Sequence, residues 1–224
     1  MLLLASKSPG RLSTLRAAGV EPLVRVSEVD EPAVLADLAR ERSVAGAPAP
    51  TPAEQVQALA RAKALAVAGS LTDEERALPG LVVVGCDSML EIDGEVVGKP
   101  RTPERVIERW CAMRGRRGAL RTGHFLVRAR DGATAEGVST AVIAFADVSD
   151  AEVEAYAATE EPLWCAGGFT IDGLGGAFIE SVEGDPHGVV GISLPLLRRL
   201  LAGLGVTWTD LWAQQPGQDA GAGA

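Results

Sequence analysis

Five apolar runs punctuate the chain: "LLLA" at 2–5, "LVVVGC" at 81–86, "ALRTGHFLV" at 119–127, "TAVIAFA" at 140–146 and "AFIESV" at 177–182. Their lengths and β-branched content predict strands, and the stretches between them carry helical periodicity, which predicts an α/β or α+β protein with a mixed sheet. Helix starts are expected at Ser8-Pro9, Thr51, Thr102 and Ser149. The last three place Glu in the first turn, two of them as Ser/Thr-x-x-Glu capping boxes. On the predicted helix 51–69, Val56, Leu59, Ala60 and Val67 form one apolar stripe. Residues 41–53 read as a Pro/Ala-rich connection, and residues 213–224 as a disordered tail.

Three basic positions break these patterns. The first helix has Lys7 and Arg11 around its start, where a positive helix end disfavours bases by a few tenths of a kcal/mol up to about 1 kcal/mol each. A short strand turning into bare helix N–H groups is an anion cradle, to which Lys7, Ser8 and Arg11 would add donors; the alternative is that both bases point into water. Lys63 falls about 20° from Val56, in the middle of the inward stripe. Either its stem snorkels to solvent or the stripe borders a cleft where the ammonium meets an anion.

Asp93-Gly94 is a strong two-residue hairpin signal. Pairing Ile92 with Glu95 sets Ser88 opposite Lys99 and Asp87 opposite Pro100, which brings the Asp87 carboxylate near the Lys99 amine, face to face only with a bulge. An ordinary exposed salt bridge is the plain alternative. Glu31, just ahead of a Pro, is expected in a loop.

Composition narrows the function. Lys and Arg total 21 against 30 Asp and Glu, a formal charge of −9, which argues against a general nucleic-acid or anionic-membrane binder. Any phosphate site must be a local basic pocket. No apolar run reaches the roughly 18 residues of a membrane span and "MLLLAS" lacks the features of a signal peptide, so a cytoplasmic protein is expected. Cys86, Cys111 and Cys165 are widely spaced, without a disulfide or zinc pattern, and are expected reduced and buried. His124, His187 and the four tryptophans are expected to be structural. The Gly-rich stretch "CAGGFTIDGLGGAF" has neither Walker nor dinucleotide-fold spacing. An anion cradle, three placed cations and one or two carboxylates describe a site for a polyphosphate and a divalent metal.

In this order, "LASKSPGRLSTLRAAGV", "VDE", "ALARAKA", "VVGCDSML", "GKP", "TGHFLV" and the stretch from "YAATEEPL" to "ISLPLL" resemble the Maf family of nucleoside triphosphate pyrophosphatases, related in fold to the inosine triphosphatases. The resemblance covers nearly all of residues 2–206. It implies a single domain over 1–212, an elongated mixed sheet with flanking helices forming two lobes around a central cleft. It also implies hydrolysis of a nucleoside triphosphate to the monophosphate and pyrophosphate with Mg²⁺ or Mn²⁺, as house-cleaning of nucleotide pools. Asp87, Lys99, Lys63 and Glu31 would be the catalytic set, with Asp87 accepting the proton of water and Glu31 and Asp87 contacting the metal. Ser6, Ser8, Gly10, Arg11, Ser88 and Asp172 would contact substrate. Family members are often dimers, so a homodimer is the expected assembly. A cell-division regulator acting through a partner is the alternative attached to the family.

Three positions depart from the family pattern: Gly10 stands where an Arg or Trp is usual, Ser88 where Thr is usual, and Asp172 where one branch has a Gln. An ionised Asp only accepts hydrogen bonds, which suits the N1–H and N2 amine of guanine better than the uracil edge. The "DGLGG" and "EGDP" runs resemble the branch that acts on 7-methylguanosine triphosphate, whose positive ring would strengthen such a contact. Alternatively Asp172 caps a turn.

Overall fold

The structure, a computed structural model, describes residues 1–212; the expected tail lies outside the described residues. Seven strands form one mixed sheet: β1 (Leu2–Leu4), β2 (Leu23–Val24), β3 (Val82–Ile92), β4 (Glu95–Val97), β5 (Arg117–Arg128), β6 (Thr134–Phe145) and β7 (Ile179–Glu183), in the order β2-β1-β3-β5-β6-β7 with β4 beside β3. Helices α1 (Pro9–Ala17), α2 (Glu31–Val44), α3 (Pro52–Gly69), α4 (Asp73–Arg76), α5 (Pro103–Met113), α6 (Asp150–Ala158), α7 (Pro186–Val190) and α8 (Leu194–Gly203) flank it. All five apolar runs lie in or overlap strands. Each expected N-cap is in place, Ser8, Thr51, Thr102 and Ser149 accepting a backbone N–H three residues on. Among the described residues no helix is long and apolar enough to cross a membrane.

β1 pairs in parallel with residues 82–84 of β3, and β4 pairs antiparallel with residues 90–92. Residues 85–89 have a ladder partner on the β5 side only. This interruption opens the sheet between two packed ends. At one end Leu2, Leu4, Val82, Val84 and Leu126 pack with Leu15 of α1 and Leu197 of α8, while Leu3, Val83, Phe125 and Val127 pack with α3 on the other face. At the other end Leu90, Trp110, Ile143, Phe145 and Tyr156 anchor a separate cluster.

The hairpin has the expected register, Ile92 opposite Glu95, but it stops at Leu90 opposite Val97. The pairs extrapolated to Ser88–Lys99 and Asp87–Pro100 are not made; Ser88 pairs with Thr122 and Asp87 with Gly123 in β5. The expected connection at 41–53 is also corrected. Residues up to Val44 belong to α2, and Glu31 is the first helical residue, not a loop residue, with the Asp30 carboxylate accepting the Ala33 N–H at 3.0 Å. Pro32 sits in the first turn, where its missing N–H costs nothing. Of the cysteines, only Cys86 is buried; Cys111 is exposed and Cys165 half-buried, all three free. Trp110 is buried as expected, whereas Trp164 and Trp212 are exposed.

Helix α3 lies unusually close to the sheet. A Cβ at Gly85 would sit 2.2 Å from the Ala60 carbonyl oxygen, and one at Gly123 2.4 Å from that of Val56. Both clashes are with backbone, so relief requires lifting the helix. Gly85→Ala is therefore expected to cost about 1–3 kcal/mol, a drop of several degrees in Tm. It also lowers activity, because Lys63 rides on that helix; a melting curve within a degree of wild type would contradict this packing.

Candidate active site

The open stretch of β3 carries Asp87 and Ser88 on opposite faces of the sheet, as strand alternation requires. Asp87 faces α3. There the Lys63 ammonium lies 2.6 Å from Asp87 Oδ1 and 2.6 Å from Glu31 Oε1. The Lys63 and Asp87 side chains are 11% and 13% exposed, that of Glu31 48%. Lys63 thus does not snorkel into water; it ties the start of α2 to the centre of β3. Both carboxylate oxygens lie within hydrogen-bond reach of one nitrogen, so they approach within twice that distance of each other.

Burial pushes the Glu31 carboxyl up. The hydrogen bond and charge of Lys63, with the charges of Lys99 and Arg11, outweigh burial and hold it below its ordinary value. Three cations thus act on this carboxylate, although Lys99 is exposed and bonded to neither acid. The ladder register expected to bring Lys99 to Asp87 is not made, while the charge of Lys99 acts on Glu31.

On the other face Arg11 is buried. Its Nε donates to the Gly191 carbonyl at 2.8 Å, Nη1 to Ser6 Oγ at 3.0 Å and Nη2 to Ser88 Oγ at 3.3 Å. Thr122 Oγ1 donates to the Gly188 carbonyl at 2.8 Å and lies 2.8 Å from Ser88 Oγ. Since the single Thr122 proton goes to Gly188, Ser88 donates to Thr122 and accepts from Arg11. The Ser88 hydroxyl proton is therefore already engaged. The unusual base at the start of α1 is explained in part by these bonds, while Lys7 points into water. Ser6 Oγ also accepts the Ser8 N–H at 3.1 Å, which shapes the turn from β1 into α1. At Gly10 a Cβ would stand 3.0 Å from Val190 Cγ1, so the end of α7 occupies the space a larger residue would need.

His124 is buried, with Nδ1 3.0 Å from the Thr122 carbonyl and Nε2 accepting the Ser193 N–H at 2.9 Å. These bonds fix the neutral tautomer protonated on Nδ1. Burial lowers its pKa to about 4, so the ring is uncharged at neutral pH and structural. His187 pairs with Asp185 at 3.0 Å.

Asp172 is exposed, and no hydrogen bond among the described residues engages its carboxylate, so the turn-capping role is not seen. Lys99 and Asp172 both act on the Cys165 thiol, which burial pushes up, Glu161 and Asp172 push further, and Lys99 lowers. Thr122, which orients Ser88, and Glu161, which gathers the loop carrying Asp172, lie in the quoted stretches "TGHFLV" and "YAATEEPL", but sequence reasoning assigned neither a role.

Glu31 and Asp87 offer two hard oxygen ligands, and the described residues contain no group of three or more His, Cys, Asp or Glu suited to a metal. Two carboxylates completed by phosphate oxygens and water is the donor set Mg²⁺ favours, so these residues fit such a cation.

The chain is similar along most of its length to several named proteins. A protein from Salinispora tropica is 50% identical over 218 residues, covering 95% of this chain and 88% of its own length. One from Saccharopolyspora erythraea is 53% identical over 213 residues, covering 93% and 95%, and one from Rhodococcus jostii is 52% identical over 213 residues, covering 94% and 95%. Each is named a nucleoside triphosphate pyrophosphatase. The family described as Maf-like protein matches residues 1–204, and with these relatives it establishes that the chain belongs to the Maf-like protein family.

Proposed function

We propose that this protein hydrolyses nucleoside triphosphates to the monophosphate and pyrophosphate, removing surplus or modified nucleotides from the pool. The observation that carries the reading is the Lys63 ammonium bridging Asp87 and Glu31 in the gap of β3, in a chain half identical to proteins bearing that name. Asp87 accepts the proton as the oxygen of water bonds to phosphorus, while the bond between the α–β bridging oxygen and that phosphorus breaks. Lys63, Lys99 and Arg11 offset the charge that gathers on the phosphate oxygens. Arg11 uses one N–H on each terminal nitrogen within the protein and keeps the others for a ligand. Ser6, Ser8 and the first N–H groups of α1, beside Gly10, line the entrance of that cradle. Glu31 and Asp87 would hold Mg²⁺ or Mn²⁺, which when bound supplies Lewis-acid charge to the phosphates. Ser88 acts by holding Arg11.

Phosphorus NMR of a nucleoside triphosphate incubated with enzyme and Mg²⁺ tests the reaction: pyrophosphate and monophosphate in equal amounts are expected, whereas orthophosphate and diphosphate would overturn it. The partner-binding alternative is not favoured, since none of the three relatives bears such a name. For the base, the unengaged Asp172 carboxylate favours a guanine-type edge. Asp172→Gln is expected to move the kcat/KM ranking toward uracil or thymine by about tenfold, a shift of about 1.4 kcal/mol. An unchanged ranking would remove Asp172 from base reading.

A further inference from the structure

Glu161 lies in a short 3-10 turn after α6, outside the phosphate cluster, yet it is among the most heavily bonded carboxylates in the protein. Its Oε1 accepts from the Thr170 hydroxyl, from the Tyr156 hydroxyl at 3.2 Å and from the Gly175 N–H at 3.1 Å, and its Oε2 accepts from the Leu174 N–H at 3.0 Å. Tyr156 also accepts the Thr170 N–H at 3.2 Å. The chain from 170 to 175 is therefore wrapped around one carboxylate. Its glycines make this approach possible: a Cβ at Gly173 would lie 2.6 Å from Glu161 Oε2, and one at Gly175 2.3 Å from the Tyr156 hydroxyl. Tyr156 in turn packs edge-on against the buried Trp110, centroids 5.7 Å apart, and the Trp110 ring N–H holds the Gly168 carbonyl at 2.9 Å. Both ends of the loop are thus tied to a rigid core.

Asp172 sits at the middle of this wrapped segment, and its carboxylate takes no hydrogen bond or ion pair among the described residues. On one side of it Thr170 is held by Glu161; on the other, Leu174 and Gly175 are. Trp164 and Leu174, apolar side chains 67% and 60% exposed, stand at the end of the same 3-10 turn and on the loop. Asp172 is thus an exposed acceptor on a held loop that also presents the apolar Leu174, the pairing of polar and apolar contact that a nucleobase uses.

We infer that Glu161 is a positioning residue for base selection: it fixes the 170–175 loop so that the Asp172 carboxylate meets the edge of the base, and it touches neither base nor phosphate itself. The inference rests on the reading of Asp172 given above. A preorganised acceptor discriminates between bases because no ordering of the loop opposes binding; a loosened one does not.

Glu161→Gln retains the shape but places an amide NH₂ against at least one of the present donors. With GTP, 7-methyl-GTP, UTP and dTTP, the variant is expected to raise KM for the preferred nucleotide about tenfold with kcat within about twofold, and to compress the ranking between bases. Thr170→Val, which removes one donor and leaves the carboxylate, should move both quantities in the same direction by less; it decides the matter if Glu161→Gln fails to fold by circular dichroism. An unchanged ranking and KM would overturn the inference. So would an equal fall of kcat/KM for all four nucleotides with a lowered Tm, the mark of a merely structural role. Asp172→Gln, measured alongside, separates the two layers. If it alters the ranking and Glu161→Gln does not, only the role of Glu161 fails; if it alters nothing, the base reading fails and the inference with it.

Discussion

Asp87→Asn is expected to lower turnover by about 10²–10⁴-fold, the range general-base catalysis contributes, while leaving the fold in place. Asparagine matches aspartate in shape, and its carbonyl oxygen can still accept from Lys63, which also keeps Glu31 as a partner. Packing in the β3 gap therefore survives. The amide cannot take a proton from water, and it presents no charge to a cation. Losing one charge-assisted hydrogen bond costs about 1–3 kcal/mol, which for a chain of this length is several degrees in Tm. A rate assay paired with a thermal melt checks both halves; wild-type turnover in a folded variant would remove Asp87 from the chemistry.

Lys63→Met is expected to be nearly as damaging, by about 10²–10³-fold in kcat, comparable to removing one donor that stabilises transition-state charge. Methionine keeps the unbranched apolar stem and lacks only the terminal ammonium, so the stripe on α3 still packs. Without the ammonium, Asp87 and Glu31 face each other unpaired. Burial already pushes the Glu31 carboxyl up, and Lys63 is the leading cause holding it down. Its removal lets that carboxyl rise, so at a given mildly acidic pH less of Glu31 is ionised and the acid limb of the rate profile moves to higher pH. Lys63→Arg, which keeps the charge, should recover part of the rate. A profile and rate unchanged in Lys63→Met would mean that the ammonium is only a structural tie.

Much of the fold was legible because it is written locally. Helix caps need only a Ser or Thr and its near neighbours, and the Asp93-Gly94 turn fixes the Ile92–Glu95 register by itself. Lys63 was marked by its angle on α3, and Arg11 by its place at a helix start. The site as an arrangement was not legible, because the gap in β3 depends on where β1 ends and β4 begins along a third strand. Extrapolating the hairpin ladder through that gap gave Lys99 a strand register that the structure does not have. Helix α2 was hidden since Pro32 resembles a break and none of its residues is buried, so it has no strong apolar stripe; with it went the true position of Glu31. Glu161 lay in a quoted stretch without an assigned role for a further reason. Its partners Tyr156, Thr170, Leu174 and Gly175 are gathered by turns without a repeating period.

The most direct measurement is pyrophosphate release by the wild type and Asp87→Asn across UTP, dTTP, CTP, GTP, 7-methyl-GTP, ITP and pseudouridine triphosphate, first with Mg²⁺ and then with Mn²⁺. Release from at least one nucleotide, fastest with a guanine-type base and lost in the variant, is the predicted result. Silence of the folded wild-type protein across the whole panel, or equal release by the two proteins, would contradict the assignment of this site.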